Sequence, residues 1–134
     1  MEFVDTNVLV YAHDGGAGKK QDRAIDLIAR LNLTANGATS IQVLAEFFSV
    51  ATRKLGMTSS DAEEVVADFA VWRIHRPNHD DLIRAIHLQR RYRVNWWDAL
   101  LINSALELGC SVLWSEDFND GQRYSRLQIR NPFA

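Results

Sequence analysis

The strongest constraint on the fold is an alternation along the chain between short β-prone runs and longer stretches with helical apolar spacing. Residues 2–5 (Glu2-Phe3-Val4-Asp5) read as a strand, and a helical turn follows over Asn7–Ala12. Ile25, Ile28 and Leu31 recur at helical spacing and predict a helix over Lys20–Leu31. Gly37-Ala38-Thr39 is a brief strand, after which Thr39-Ser40-Ile41-Gln42 has the form of a capping box and opens a helix to about Leu55. Thr58-Ser59-Ser60-Asp61 repeats that start signal for a helix through Val65, Val66 and Phe69. Val71–Arg76 reads as a strand stopped by Pro77, and Asn78-His79-Asp80-Asp81 starts a helix to about Tyr92. Asn95 caps the next helix, Trp96–Leu108, and Gly109 ends it. Strands at Ser111–Trp114 and Leu127–Arg130 complete the reading.

Strands alternating with helices predict an α/β fold, a mostly parallel sheet covered by helices on both faces. At 134 residues with 47% hydrophobic and 24% charged residues, the chain has the size of one domain, residues 1–134, with a core of its own. The opening MEFVDTNVLVYAHD lacks a basic flank and is interrupted by Asp5 and Asn7, so it is neither a signal peptide nor a membrane span, and a cytoplasmic protein is expected. The single cysteine, Cys110, excludes an internal disulfide and begins the apolar run CSVLW as a small buried hydrophobe. His13 to Lys20, with three glycines, reads as a mobile loop, but it lacks the lysine and serine pattern of a nucleotide-phosphate loop.

In parallel α/β sheets, ligands collect beyond the carboxyl ends of strands where the strand order reverses. Asp5 ends the first strand, and Asp117 follows Val112-Leu113-Trp114 by three residues, so both project from that edge. Glu46 is the only charge in the run Ile41–Ala51, where an unpaired carboxylate is costly to bury and needs a cation, a hydrogen-bond network or a raised pKa. Asp98 lies in the first turn of its helix between Trp97 and Ala99. Each acid also has a structural explanation: Asp5 and Asp98 suit helix caps, Glu46 an arginine partner and Asp117 a turn. Together, without histidine or cysteine, the four make a hard, oxygen-only site suited to Mg²⁺ or Mn²⁺. Phosphodiester hydrolysis is the chemistry such a site supports best.

A net charge of −2 does not by itself indicate a nucleic-acid partner. If four of the 17 acids surround cations, however, the remainder carries 13 acids against 15 basic residues. Arg53, Lys54, Arg84, Arg90, Arg91, Arg93, Lys19 and Lys20 are candidates for phosphate contacts or for an ordinary solvated surface. Trp96 and Trp97 could stack on bases, although tryptophan at a helix start is more often core. His75 and His79 have a spacing that could bind zinc on a helix, but Pro77 lies between them, and they read as loop and cap residues.

Four segments, Val4-Asp5-Thr6-Asn7-Val8-Leu9, Leu44-Ala45-Glu46-Phe47, Trp97-Asp98-Ala99-Leu100-Leu101 and Leu113-Trp114-Ser115-Glu116-Asp117-Phe118, stand in the order of a PIN domain. The resemblance covers the whole chain and is greatest to stand-alone VapC-type toxins of bacterial toxin–antitoxin pairs, including the ending Ile129-Arg130-Asn131-Pro132-Phe133. It implies a three-layer fold with a five-stranded sheet of order 3-2-1-4-5, and Mg²⁺-dependent cleavage of structured RNA (tRNA or rRNA), with Mn²⁺ able to substitute. It also implies a homodimer and a small VapB-like antitoxin as partner. By position, Asp5, Glu46, Asp98 and Asp117 are the metal-binding catalytic acids, and Thr6, Asn7 and Ser115 orient them. Glu116 and Asp120 add neighbouring acids that could take the place of Asp117. The rival readings are a PIN-like nuclease outside any toxin–antitoxin pair and a catalytically silent PIN scaffold. A haloacid-dehalogenase-type phosphatase lacks its second aspartate after Asp5, and a receiver domain lacks its lysine after a strand.

Overall fold

The computed structural model describes residues 1–134. Its elements, in chain order, are β1 (Glu2–Val4), α1 (Thr6–Ala12), α2 (Lys19–Thr34), β2 (Gly37–Ser40), α3 (Ile41–Arg53), α4 (Ser59–Asp68), a 3₁₀ turn (Phe69–Val71), β3 (Arg73–His75), α5 (His79–Tyr92), α6 (Trp96–Glu107), β4 (Val112–Trp114), β5 (Arg123–Tyr124) and β6 (Leu127–Arg130). They form a three-layer α/β fold. The strands make one sheet of order β3-β2-β1-β4-β6-β5, parallel throughout except for the β5–β6 pair. Setting aside the two-residue β5, the remaining five strands stand in the order 3-2-1-4-5 implied by the resemblance. Arg123-Tyr124 is too short to carry an alternating pattern, and its pairing becomes visible only when Ser125 turns the chain back at φ 57°.

The start signals act largely as the sequence suggests. The Thr58, Asn78 and Asn95 side chains each accept the backbone N–H three residues on, and Asn78 with Asp81 forms a complete capping box. Several details differ. Ser40, not Thr39, caps α3 by accepting the Val43 N–H, while Thr39 donates its hydroxyl to the Val4 carbonyl and ties β2 to β1. Phe69-Ala70-Val71 closes into a 3₁₀ turn because Phe69 and Trp72 are drawn into the core and meet edge to face at 4.8 Å, so β3 begins only at Arg73. His75 is no loop residue: it ends β3, buried, with Nδ1 at 2.7 Å from Ser104 Oγ and Nε2 at 3.3 Å from Asp81. His79 follows the cap Asn78 and is exposed. The His13–Lys20 segment is shorter as a loop than expected, since α2 already begins at Lys19.

Phe3, Val4, Val8, Leu9, Phe47, Ile102, Leu113 and Ile129 are wholly buried and knit the central strands to α1, α3 and α6. Helix α6 buries Ala99, Leu101, Ile102, Asn103, Ser104 and Ala105 in succession, because it lies on β2, β3, β4 and β6 with α5 packed outside it. Its end is closed by Gly109 at φ 72°, where the Cys110 N–H reaches back to the Ala105 carbonyl and the Gly109 N–H to Leu106. Cys110 is buried as expected. No helix is long and apolar enough to cross a membrane.

The strand order reverses between β1 and β4. β1 pairs with β2 on one side and β4 on the other, with Val4 opposite Trp114. The crevice that such a reversal opens therefore lies immediately past Val4 and Trp114.

Candidate active site

The next residue on each of those two strands is polar and buried. Asp5 and Ser115 emerge side by side, joined through the backbone by the Asp5 N–H to the Trp114 carbonyl at 3.0 Å, and Ser115 Oγ donates to Asp5 Oδ2 at 2.8 Å. Asp5 Oδ1 accepts the Thr6 N–H at 2.6 Å, so Asp5 is also the cap of α1. The helix-cap reading of Asp5 is thus realised. Only 4% of Asp5 is exposed. Burial pushes its carboxyl up to about 6 against the hydrogen bonds from Ser115 and Thr6, and the negative charges of Asp117 and Glu46 push it the same way.

Asn7, on the first turn of α1, ties this pair to the loop after β4. Its Nδ2 lies 3.3 Å from Asp5 Oδ2, 3.1 Å from Ser115 Oγ and 3.1 Å from Asp117 Oδ2. Two amide hydrogens shared among three acceptors fix the relative position of the two strand ends. Ser115 Oγ also accepts the Asp117 N–H at 3.1 Å. From the facing helix α3, Glu46 Oε2 accepts the Thr6 hydroxyl at 3.2 Å. Glu46 has no arginine partner, and it is exposed, not buried. The run around it is apolar because α3 buries only the stripe Val43, Leu44, Phe47 and Ala51 and leaves Ile41 and Phe48 in contact with solvent. Asp98 is held by Asn95, which donates Nδ2 to Asp98 Oδ2 at 2.8 Å and accepts the Asp98 N–H at 2.8 Å. Burial, helped by the charge of Asp117, raises its carboxyl.

All four acids, with Thr6 and Asn7, line a single open cleft of about 350 Å³ whose walls also include Gln42, Lys54, Trp97 and Glu116. Asp120 lies outside that lining. Its Oδ1 accepts the Asn131 N–H at 2.8 Å, which pins the chain after β6. Glu116 sits at the rim, bound by the Tyr11 hydroxyl at 2.6 Å and by Lys20 Nζ at 2.9 Å. Burial alone would raise its carboxyl, but those two donors bring it below the ordinary value. Both neighbours of Asp117 are therefore already engaged by protein donors, whereas Asp117 faces the other acids.

The donor set suits a hard divalent cation. In Glu46, Asp98 and Asp117, one carboxylate oxygen is held by a protein donor and the other has no protein partner, an arrangement that orients a ligand without consuming it. No three of the acids converge on one point at liganding distance. Like charges facing one another across a cleft repel unless a cation lies between them.

Of the eight basic residues considered in the sequence, only Lys54 lines the cleft. Lys20 reaches the rim through Glu116, and Arg84 is committed to Asp81 and Glu107. Trp97 departs from the core role that helix-start tryptophans usually have. It is 64% exposed and lines the cleft beside Asp98, while Trp96 is half-buried. Tyr11 was not singled out in the sequence, and Gln42 only as the last residue of a capping box. Gln42 could have been found by its spacing of four from Glu46, which places both on one helix face.

A family model described as the PIN domain matches residues 3–124. No curated protein matches the sequence. Among solved structures, a toxin–antitoxin complex from Klebsiella pneumoniae aligns with a TM-score of 0.70 at 17% identity over 98% of each chain. VapBC2 from Rickettsia felis, solved bound to a DNA fragment from its promoter, aligns with a TM-score of 0.67 at 19% identity over 97% of each chain. VapC20 from Mycobacterium tuberculosis, described as a Sarcin-Ricin loop cleaving toxin, aligns with a TM-score of 0.64 at 21% identity, covering 84% of this chain and 87% of that one. At such identities the likeness is one of fold.

Proposed function

Because this chain belongs to the PIN-domain family, we propose that it is a metal-dependent endoribonuclease acting as the toxin of a toxin–antitoxin pair. The observation that carries this reading is the convergence of Asp5, Glu46, Asp98 and Asp117, from four different elements, on one cleft at the point where the strand order reverses. The substrate is a structured RNA, tRNA or an rRNA loop. The cofactor is Mg²⁺, or Mn²⁺ in its place. A small VapB-like antitoxin is the protein partner, the active form is a homodimer of single-domain chains, and the site of action is the cytoplasm. Structural likeness to toxin–antitoxin assemblies supports the choice of partner.

Bound among the four acids, the cation would supply charge neutralisation at the phosphate and a lowered pKa for the attacking water. The chain's own contribution is positioning. Ser115 and the Thr6 N–H hold Asp5 rigid at the base of the cleft, Asn7 sets Asp117 against it, Thr6 orients Glu46, and Asn95 fixes Asp98 at the start of α6. These donors keep the carboxylates oriented with little reorganisation left for the reaction itself.

The test is cleavage of total tRNA and rRNA by the purified protein with Mg²⁺ or Mn²⁺ and with a chelator, alongside Asp98→Asn and Asp117→Asn. Cleavage and growth arrest should require the cation and fall at least about 100-fold in either variant, a loss of about 2.7 kcal/mol in transition-state stabilisation. Full activity of both variants would overturn the reading. An absence of specific Mn²⁺ binding by calorimetry would leave a silent scaffold. If no short reading frame for an antitoxin lies beside the gene, the nuclease works outside such a pair.

A further inference from the structure

Trp97 occupies a position that the fold gives no reason to fill with tryptophan. It stands in the first turn of α6, where helix propensity favours smaller or straight-chain residues, and with 64% of it exposed it leaves on the order of 150 Å² of its surface in water. Trp72, by contrast, is 7% exposed and has its indole N–H bonded to Asn32 Oδ1 at 2.6 Å. Trp97 lines the acidic cleft next to Asp98. Across from it, Gln42, Glu46, Val50 and Lys54 recur every four residues and form one continuous wall from α3. Lys54 ends that wall about 12 Å along the helix axis from Glu46. It is exposed and forms no ion pair.

An unpaired cation, a bare aromatic face and a group of carboxylates in one cleft are the three elements that hold a single strand: a phosphate contact, a stacking surface and a reaction centre. We infer that Trp97 stacks on an unpaired base flanking the scissile phosphate while Lys54 holds a neighbouring phosphate. The enzyme therefore selects RNA in which that base is already out of the stack, because a paired base offers no free face to an indole. Gln42, further along the wall, has the amide needed to read a base edge. The inference rests on the ribonuclease reading and assigns the feature of the RNA that the cleft accepts.

The experiment compares Trp97→Ala, Trp97→Leu, Trp97→Phe and Lys54→Gln in the full-length protein. The probes are a short single-stranded RNA and the blunt duplex made from it, followed by steady-state cleavage with Mn²⁺ and by fluorescence anisotropy in an Asp117→Asn background. Trp97→Ala and Trp97→Leu should raise KM and Kd for the single strand about five- to 100-fold, with the duplex unaffected, and Trp97→Phe should retain most of the affinity. Lys54→Gln should weaken binding and lower the salt dependence by about one counterion. Circular dichroism identifies any variant that fails to fold, and whichever of the Ala and Leu variants folds then carries the comparison against the parent and the Phe variant on the two RNAs. If Trp97→Ala and Trp97→Leu match the parent on the single strand while Mn²⁺-dependent cleavage persists, stacking is refuted and the ribonuclease stands. If the parent cleaves tRNA or rRNA yet does not prefer the single strand over the duplex, selection of an unstacked base is refuted and the ribonuclease stands; if it cleaves none of these RNAs, both readings fail.

Discussion

Replacing Asp5 with asparagine should make the metal-free protein more stable while removing its activity. Asp5 is 4% exposed, and burial lifts its carboxyl from 3.8 to about 6. At pH 7.5 it is ionised in both folded and unfolded chains, and that difference amounts to a penalty of about 3 kcal/mol on the folded state. Asparagine removes the charge but not all the constraints. Its carbonyl can still accept the Thr6 N–H, and Ser115 can turn its hydroxyl to accept, but the new amide would face the Asn7 amide, donor against donor, across the 3.3 Å that now separates Asn7 Nδ2 from Asp5 Oδ2. A net gain of about 1–2 kcal/mol remains, or roughly 5 °C in Tm for a domain of this size. The sign of the pH dependence follows from the raised carboxyl. The folded parent holds its proton more tightly than the unfolded chain, so its stability declines as pH rises from about 4 to about 6 and is level in this respect above that. The advantage of the variant should therefore be full at pH 7.5 and reverse below pH 4, where the charge penalty of the parent is gone and the opposed amides of the variant still cost about 1–2 kcal/mol. Thermal melts with EDTA across that range measure it. Adding Mn²⁺ should reverse the order, since a ligand at 100 times its Kd contributes about 2.7 kcal/mol to the parent alone. If Asp5→Asn melts at or below the parent temperature in EDTA at pH 7.5, burial of an uncompensated charge is not the dominant energy at this position.

Two further substitutions test the supports of the cleft and of the sheet. Ser115→Ala removes the donor to Asp5 and the acceptor for the Asp117 N–H. It should weaken Mn²⁺ binding by calorimetry about tenfold or more with the fold intact, and an unchanged affinity would remove Ser115 from the site. Gly37→Ala places a methyl 2.6 Å from the Trp72 ring, which is held by Asn32 and cannot retreat freely. Urea unfolding should show a loss of about 1–3 kcal/mol, and a neutral result would mean that the ring moves with little resistance.

Much of this architecture could be read locally. The caps at Thr58, Asn78 and Asn95 depend on side chains three residues from the N–H they bind, an arrangement complete within one turn. The turn at Phe69–Val71 could not be read this way, because Phe69 and Trp72 are pulled inward by core contacts far away in sequence. The same holds for His75, whose partners Asp81 and Ser104 come from two different helices and turn an apparent loop residue into a buried junction.

For the cleft, the sequence by itself determined which residues are chemically able to serve: four carboxylates at two strand ends, one helix interior and one helix start, with no softer ligand among them. It left open which of Glu116, Asp117 and Asp120 faces the others, whether Glu46 is buried, and which of eight basic residues and two tryptophans reach the cleft. Tertiary structure alone decided these. Tyr11 and Lys20 occupy Glu116, the Asn131 backbone occupies Asp120, and the rotation of α3 and α6 against the sheet turns Glu46, Lys54 and Trp97 toward one another. Residue type sets what a side chain can do, and local pattern sets the element that carries it. Which faces of two helices close on one strand edge is fixed only by how the whole core packs.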